Sequence, residues 1–323
     1  MWAGRARPGE ESQEEKHYGR SSSSRDYARF QAVHRNAETG SAGGGLLRPT
    51  ARPRPAPGED QRNSQSEVPR SELTAMIVDE LAQRLLVKAR QRTAEDVRVG
   101  LGYTTVRLDA DRCGLAYTLR DEIQKGCGVV KAAGSLAGRP AAELAAWATS
   151  ADAIAPAVGL ATLNALVDVP SGAVETDSLT SLPAGPDDVI GMAGYFGPLV
   201  EPLRNRRGAL RIFERRPSAG SGVRAESAAS SVLPQCQIVI LSVTTLLNST
   251  LDGLLDLCRV AREVAVLGPS ASLLPKVFEV RGATLLSRVH VIDPERALRI
   301  VSEGGGTRQL GGAGRKLTVR LSR

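Results

Sequence analysis

Aromatic residues are scarce in this 323-residue chain: two Trp, five Tyr and four Phe make up 3%. Histidine is rarer still, with three residues, and there are four cysteines. The cysteines stand at 113, 127, 236 and 258, and neither a C-x-x-C nor an H-x-x-x-H pairing occurs. That spacing supports neither a zinc module nor a secreted disulfide framework, so a reducing cytoplasm is the expected setting. No run of 18 apolar residues is present, which excludes an ordinary transmembrane helix. The opening MWAGRARPGEESQEEK has no apolar stretch, so no secretory signal is expected there. Glycine, by contrast, is plentiful at 33 residues.

Acidic residues are outnumbered, and the formal net charge is +7. The excess is spread along the chain, +3 over residues 1–70 and +4 over the remainder. A nucleic-acid surface would need a dense basic stripe with interleaved aromatics. The nearest thing is Arg204, Arg206 and Arg207, just before a turn glycine at 208. Charge therefore disfavours a nucleic-acid partner and leaves a small molecule as the expected one.

Residues 1–70 hold only six of Val, Ile, Leu, Met and Phe, with a serine run, a glycine run and a Pro/Arg tract. Such a segment buries too little apolar surface to offset the entropy of ordering it. It is expected to be a disordered extension. Order is expected from Ser71, a suitable N-cap for a helix with Leu73, Ile77, Leu81, Leu85 and Leu86 at helical spacing. Two short strands in DVRVGLGYTTVRLD follow, then a strand in GLAYTLRD, then helices in PAAELAAWATS and DAIAPAVGLATLNALVD with Asp152 as cap. Residues 71–170 thus read as an α+β unit.

The Pro-, Gly- and Ser-rich stretch 171–187 reads as a linker. From 188 to 323 the pattern changes. Near-continuous apolar strands (DVIGMAGYF, ALRIFER, QIVILSV, REVAVLG, TLLSRVHVID, KLTVRL) alternate with helical segments. That alternation predicts a doubly wound, mostly parallel sheet whose ligand site lies beyond the carboxyl ends of the strands.

Candidate site residues gather at those ends. Gly191, Gly194 and Gly197 form G-x-x-G-x-x-G, which departs from the dinucleotide fingerprint G-x-G-x-x-G and gives no ground for NAD. Tyr195 and Phe196, inside it, offer rings that could stack on a flat ligand. Glu214 closes the second strand, where an acid commonly receives hydroxyls. The stretch Ser242 to Thr250 is richer in polar side chains than one helix cap requires, which marks Thr244, Thr245 and Asn248 as ligand-binding candidates. Ser270 occupies the equivalent edge after the next strand. Tyr103, in a polar turn, and Asn164, within an apolar helix, are the candidates from the first unit. Glu214 and Glu303 are the candidate general bases, provided burial lifts either toward neutrality. Cys113 and Cys127 are read as packing residues. His290, alone on a strand, is read as structural.

The segments GLATLNAL, DVIGMAGYFGPLV, LSVTTLLNSTLDGLL, LGPSASLLP and VIDPERALRIVSEGGG resemble the putative heavy-metal chelation domain family of prokaryotes. The resemblance spans roughly residues 75–320. It implies an enolase-N-terminal-like α+β domain followed by a Rossmann-like domain, with a site between them. It also implies condensation, hydrolysis or group transfer on a flavin-, pterin- or siderophore-like molecule, connected with heavy-metal handling. The alternative is a non-catalytic binder of a metal ion or metal chelate. No cofactor is named by these residues, and with few soft ligands a separate chelator or oxygen donors fit a metal better than Cys and His.

Overall fold

The computed structural model describes residues 75–123, 129–205, 209–217 and 222–322. The extension 1–70, the Ser71 cap and Cys127 lie outside the described residues. The first helix, α1 (Ile77–Ala89), buries Ile77, Leu81 and Leu85, while Leu86, expected on the same face, is exposed. Its leading N–H, on Ile77, donates to the Asp252 carboxylate at 3.1 Å, so this helix start is capped from elsewhere in the fold.

Strands β1 (Ala94–Val99), β2 (Tyr103–Leu108) and β3 (Arg112–Tyr117) form an antiparallel sheet in that order. Helices α2 (Ala141–Ala146) and α3 (Ala155–Leu166) follow. The Asp152 carboxylate accepts from the Ile154 and Ala155 N–H groups at 2.8 and 3.2 Å, as a capping acid should. Helix α3 is buried at every residue from Pro156 to Leu166, which explains why its sequence is apolar on all sides.

The second half carries β4 (Val174–Glu175), β5 (Val189–Ala193), α4 (Gly197–Arg204), β6 (Ala209–Glu214), β7 (Arg224–Ala225), α5 (Ala229–Val232) and β8 (Ile238–Ser242). It continues with α6 (Thr244–Leu247), α7 (Leu251–Leu257), β9 (Glu263–Leu267), α8 (Pro275–Glu279), β10 (Leu285–Val291), α9 (Pro294–Ser302), α10 (Thr307–Leu310) and β11 (Gly314–Arg320). The eight strands lie in the order β4-β11-β10-β9-β8-β5-β6-β7. All neighbours from β10 through to β7 are parallel, and β11 and β4 add antiparallel pairs at one edge. The stretch that reads as a linker therefore contributes β4 to the sheet.

Strand residues alternate between two cores. Ile190, Met192, Ile238, Ile240, Ala265 and Leu267 face one, with Leu199, Val200 and Leu203 of α4. Val239, Leu241, Val264 and Val266 face the other, which is continuous with α1 and α3. Burial on both faces is what the unbroken apolar strands require. The result is a mixed α/β fold, an enolase-N-terminal-like α+β part followed by a Rossmann-like sheet. Chain order reverses between β5 and β8, and this switch point is where such sheets leave a crevice at their carboxyl ends.

Candidate functional site

A cavity of about 580 Å³ opens at that switch point. Its floor comes from the loops after β5, β6, β8 and β9. Its far wall comes from β10, with Lys316 and Thr307. Its roof is Tyr103 and Tyr117, cross-strand partners in the small sheet, with the segment Leu119–Glu122.

Backbone geometry sets the floor. Gly194 sits at φ +92°, and a Cβ there would come within 2.4 Å of the Ser242 Cβ. Only glycine lets the β5 and β8 exits pass this closely. The Tyr195 N–H that follows donates to the Glu214 carboxylate, tying the β5 exit to the end of β6. Ser242 Oγ and Thr244 Oγ1 are hydrogen-bonded at 2.9 Å. The Asn248 side-chain carbonyl accepts from the Thr250 hydroxyl at 2.8 Å, and Asn248 lines the cavity. Tyr195 is about half exposed at the mouth.

The roof is held by bonds that cross from one part of the fold to the other. The Tyr117 N–H donates to Ser270 Oγ at 2.7 Å. Asn164 donates to the carbonyls of Leu115 and Ser270 at 2.9 and 2.7 Å. Arg215 pairs with Glu122, and Arg216 donates to the Asp121 carbonyl at 3.1 Å. Tyr103 packs edge-on against Tyr117, with ring centroids 5.9 Å apart, and its hydroxyl is 2.6 Å from that of Thr307. Burial pushes the Tyr103 phenol up from its ordinary value of 10.0, so it stays protonated at neutral pH.

Of the residues singled out in the sequence, Tyr103, Gly194, Tyr195, Phe196, Glu214, Thr244, Asn248 and Ser270 all line this cavity. Asn164 is buried behind it. Thr245 turns away and donates to the Ser242 carbonyl at 2.5 Å, a helix-start bond. Glu303 does not reach the cavity: it is the exposed C-cap of α9, where its N–H closes the last turn onto Arg299. A cluster of glycines draws attention to that loop, yet it is Thr307, beyond them, that arrives at Tyr103.

The residue that sequence reasoning passed over is Arg288, in the middle of β10. It is 4% exposed and lines the cavity wall. Its two terminal nitrogens lie 3.5 Å from the Asn164 carbonyl, longer than a good hydrogen bond, and one is 3.2 Å from His290 Nδ1. Its Nε has no partner. Among the described residues no carboxylate pairs with it. The other buried arginine, Arg281, shows the usual arrangement, with Glu80 at 2.7 Å and Asp252 at 3.5 Å. Burial, helped by nearby Arg112, lowers the Arg288 guanidinium to about 10, so it remains a cation at neutral pH. The same burial, with Arg288 and Arg112 beside it, lowers His290 to about 4 and leaves a neutral ring that accepts from Arg288. An uncompensated buried ion costs roughly several kcal/mol. The signal available in the sequence was one charged residue within the apolar run LLSRVHV.

Comparison with known proteins matches residues 82–167 and 177–320 to two domain descriptions that both read putative heavy-metal chelation. The chain belongs to the putative heavy-metal chelation family. It is 27% identical over 261 residues to an uncharacterized protein of Methanocaldococcus jannaschii, covering 77% of this chain and all of that one. A family protein of unknown function from Desulfitobacterium hafniense has a similar structure, with TM-score 0.64 and 25% identity, covering 75% of this chain and 98% of that chain. Another, from Pyrococcus horikoshii, gives TM-score 0.67 at 23% identity, covering 76% and 100%. That last likeness concerns the fold alone.

The family description raises the matter of a resident metal, and the donor groups here do not fit one. Among the described residues no group of three or more His, Cys, Asp or Glu is placed to hold a metal ion. Cys113, Cys236 and Cys258 are buried, and burial pushes their thiols up to about 11, 11 and 12, far from the thiolate a soft metal needs. His290 Nδ1 faces the Arg288 guanidinium at 3.2 Å. Glu122 is engaged with Arg215 and Glu214 with the Tyr195 N–H. Among the described residues no helix is long and apolar enough to cross a membrane.

Proposed function

We propose that the cavity binds a small, flat, polar organic molecule of the chelator type, pterin-, flavin- or siderophore-like, and that metal reaches this protein as cargo on that molecule. The observation that carries the reading is the cavity itself. At about 580 Å³ it has the size of a metabolite site, and it lies at the switch point of a mostly parallel sheet. Its rings, Tyr103, Tyr117, Tyr195 and Phe196, supply apolar faces, while Asn248, Thr244 and Ser270 supply polar contacts. The absence of a fitting metal-donor set among the described residues supports cargo over a resident ion.

Glu214 favours chemistry on the ligand as a second reading. One of its oxygens accepts from the Tyr195 N–H, which fixes a carboxylate on the cavity surface at the end of β6. From there it can accept a proton from a ligand hydroxyl or amine during condensation, hydrolysis or group transfer.

A thermal-shift screen of the full chain with pterin, riboflavin and a catecholate tests the binding reading, since a ligand of the folded state alone raises the melting temperature by mass action. At least one class should do so saturably. Tyr195→Ala should weaken that ligand by about 2- to 12-fold, the worth of one aromatic contact. No response from any class would contradict the reading. If Glu214 acts on the ligand, Glu214→Gln should bind it and form no product.

A further inference from the structure

We infer that Arg288 is the docking point for an anionic group, carboxylate or phosphate, on the ligand of this cavity. The inference rests on the small-molecule reading above and names the chemistry at one end of the molecule.

A guanidinium carries five N–H donors in a fixed fork and matches a carboxylate or phosphate with two parallel bonds. Inside a protein it is normally given such a partner, as Arg281 is by Glu80 and Asp252. Arg288 is more deeply buried than Arg281. Yet among the described residues it meets only a distant carbonyl and a neutral imidazole, and its Nε is unpartnered. Its position explains the difference, because Arg288 is one of the residues that line the open cavity.

The other charged groups around the cavity sharpen the point. Three carboxylates line the cavity, and none pairs with Arg288: Glu214 accepts from the Tyr195 N–H, Glu122 from Arg215, and Asp121 lies 3.9 Å from Arg120. The second cation on the Arg288 side, Lys316, is paired with Asp177 at 2.8 Å. Arg112, close enough to lower Arg288, is itself occupied by Asp168 at 2.7 Å and by the Ala165 and Leu166 carbonyls. Arg120, Arg215 and Arg216 also line the cavity but are exposed: Arg215 pairs with Glu122, Arg216 donates to the Asp121 carbonyl at 3.1 Å, and Arg120 lies 3.9 Å from the Asp121 carboxylate. Among the described residues of the lining, Arg288 is thus the buried cation whose fork is left for something from outside. Ser270 shares the cavity lining with it; its Oγ accepts from the Tyr117 N–H, and its own O–H is a further donor on this lining.

The test compares wild type, Arg288→Met and Arg288→Lys as full chains. Calorimetry and thermal shift are run with citrate and with inorganic phosphate, at constant ionic strength so that screening is not mistaken for binding. Wild type should bind at least one anion saturably, and its melting temperature should rise. Arg288→Met should melt no lower than wild type without ligand, because removing an unpaired buried charge is neutral or stabilising. It should bind the anion about 10- to 100-fold more weakly, the usual loss of a charged hydrogen-bond partner. Arg288→Lys keeps the charge without the fork, and its anion affinity should fall between the two. A response to citrate alone assigns a carboxylate, and to phosphate alone a phosphoryl group. Either outcome supports the inference. Anion binding that persists unchanged in Arg288→Met, or a large loss of stability in ligand-free Arg288→Met or Arg288→Lys, would overturn it. So would wild type that binds pterin, riboflavin or catecholate but neither anion, while the small-molecule reading stands. Anion binding at Arg288 with no response to any of those three would leave the inference standing and remove the flat-ring reading.

Discussion

The side-chain NH2 of Asn164 donates to the Ser270 carbonyl at 2.7 Å, joining a helix of the α+β part to the loop after β9. The same nitrogen donates to Leu115 in β3 at 2.9 Å. One buried amide thus fixes the roof of the cavity against its floor. It also explains a polar residue in the apolar run AVGLATLNALVD: its role is positioning, one layer behind the surface a ligand would touch.

Asn164→Leu should therefore lower stability by about 1–3 kcal/mol, since it leaves two buried carbonyls without a donor. Urea unfolding of the full chain measures this. A midpoint unchanged from wild type would show that the two bonds are not what holds the roof.

His290 gives a prediction in pH. Its ordinary value is 6.5, and burial with Arg288 and Arg112 nearby lowers it to about 4. Between those values the unfolded chain takes up a proton that the folded chain refuses. Stability from this group is therefore fully present above pH 6.5 and is lost as pH falls toward 4. An NMR titration, with His290→Gln to assign the signal, should show one imidazole titrating near 4. Titration of His290 near 6.5 would mean that the ring is neither buried nor beside a cation.

The thiols of Cys113, Cys236 and Cys258 should be inert in the folded protein, because burial holds each in its neutral form at neutral pH. Mass-resolved alkylation should label them only on addition of denaturant. Replacing all three with serine should leave any metal carried on a bound chelator in place. Rapid labelling of the native protein, or metal loss in the serine variant with its fold intact, would argue for a thiolate site.

Much of the fold was legible because its strands are buried on both faces, so QIVILSV and REVAVLG show as unbroken apolar runs. The strand-end candidates followed from that plan, since once the sheet is parallel its carboxyl ends must share one edge. Less legible were elements made by long-range pairing. Strand β4 is two exposed residues held by β11, with no hydrophobic pattern of its own. The segment ESAASSVL breaks into a 3-10 turn, one short α-helical turn and another 3-10 turn around Pro234, too short to show a helical period. Glu303 attracted notice through its glycines, but those glycines end a helix. Arg288 was missed for the opposite reason: a charge within a strand reads as a surface residue until the neighbouring elements show that it is covered.

The central claim is that the cavity between the Tyr103–Tyr117 strands and the ends of the parallel sheet is where this protein holds its ligand. Hydrogen–deuterium exchange of the full chain, with and without whichever screened compound gives the largest thermal shift, tests it most directly. Protection should appear together in 194–199, 242–248 and 268–270 on the floor and in 117–122 on the roof. Binding without protection in those segments, or with protection confined to other parts of the chain, would contradict the claim.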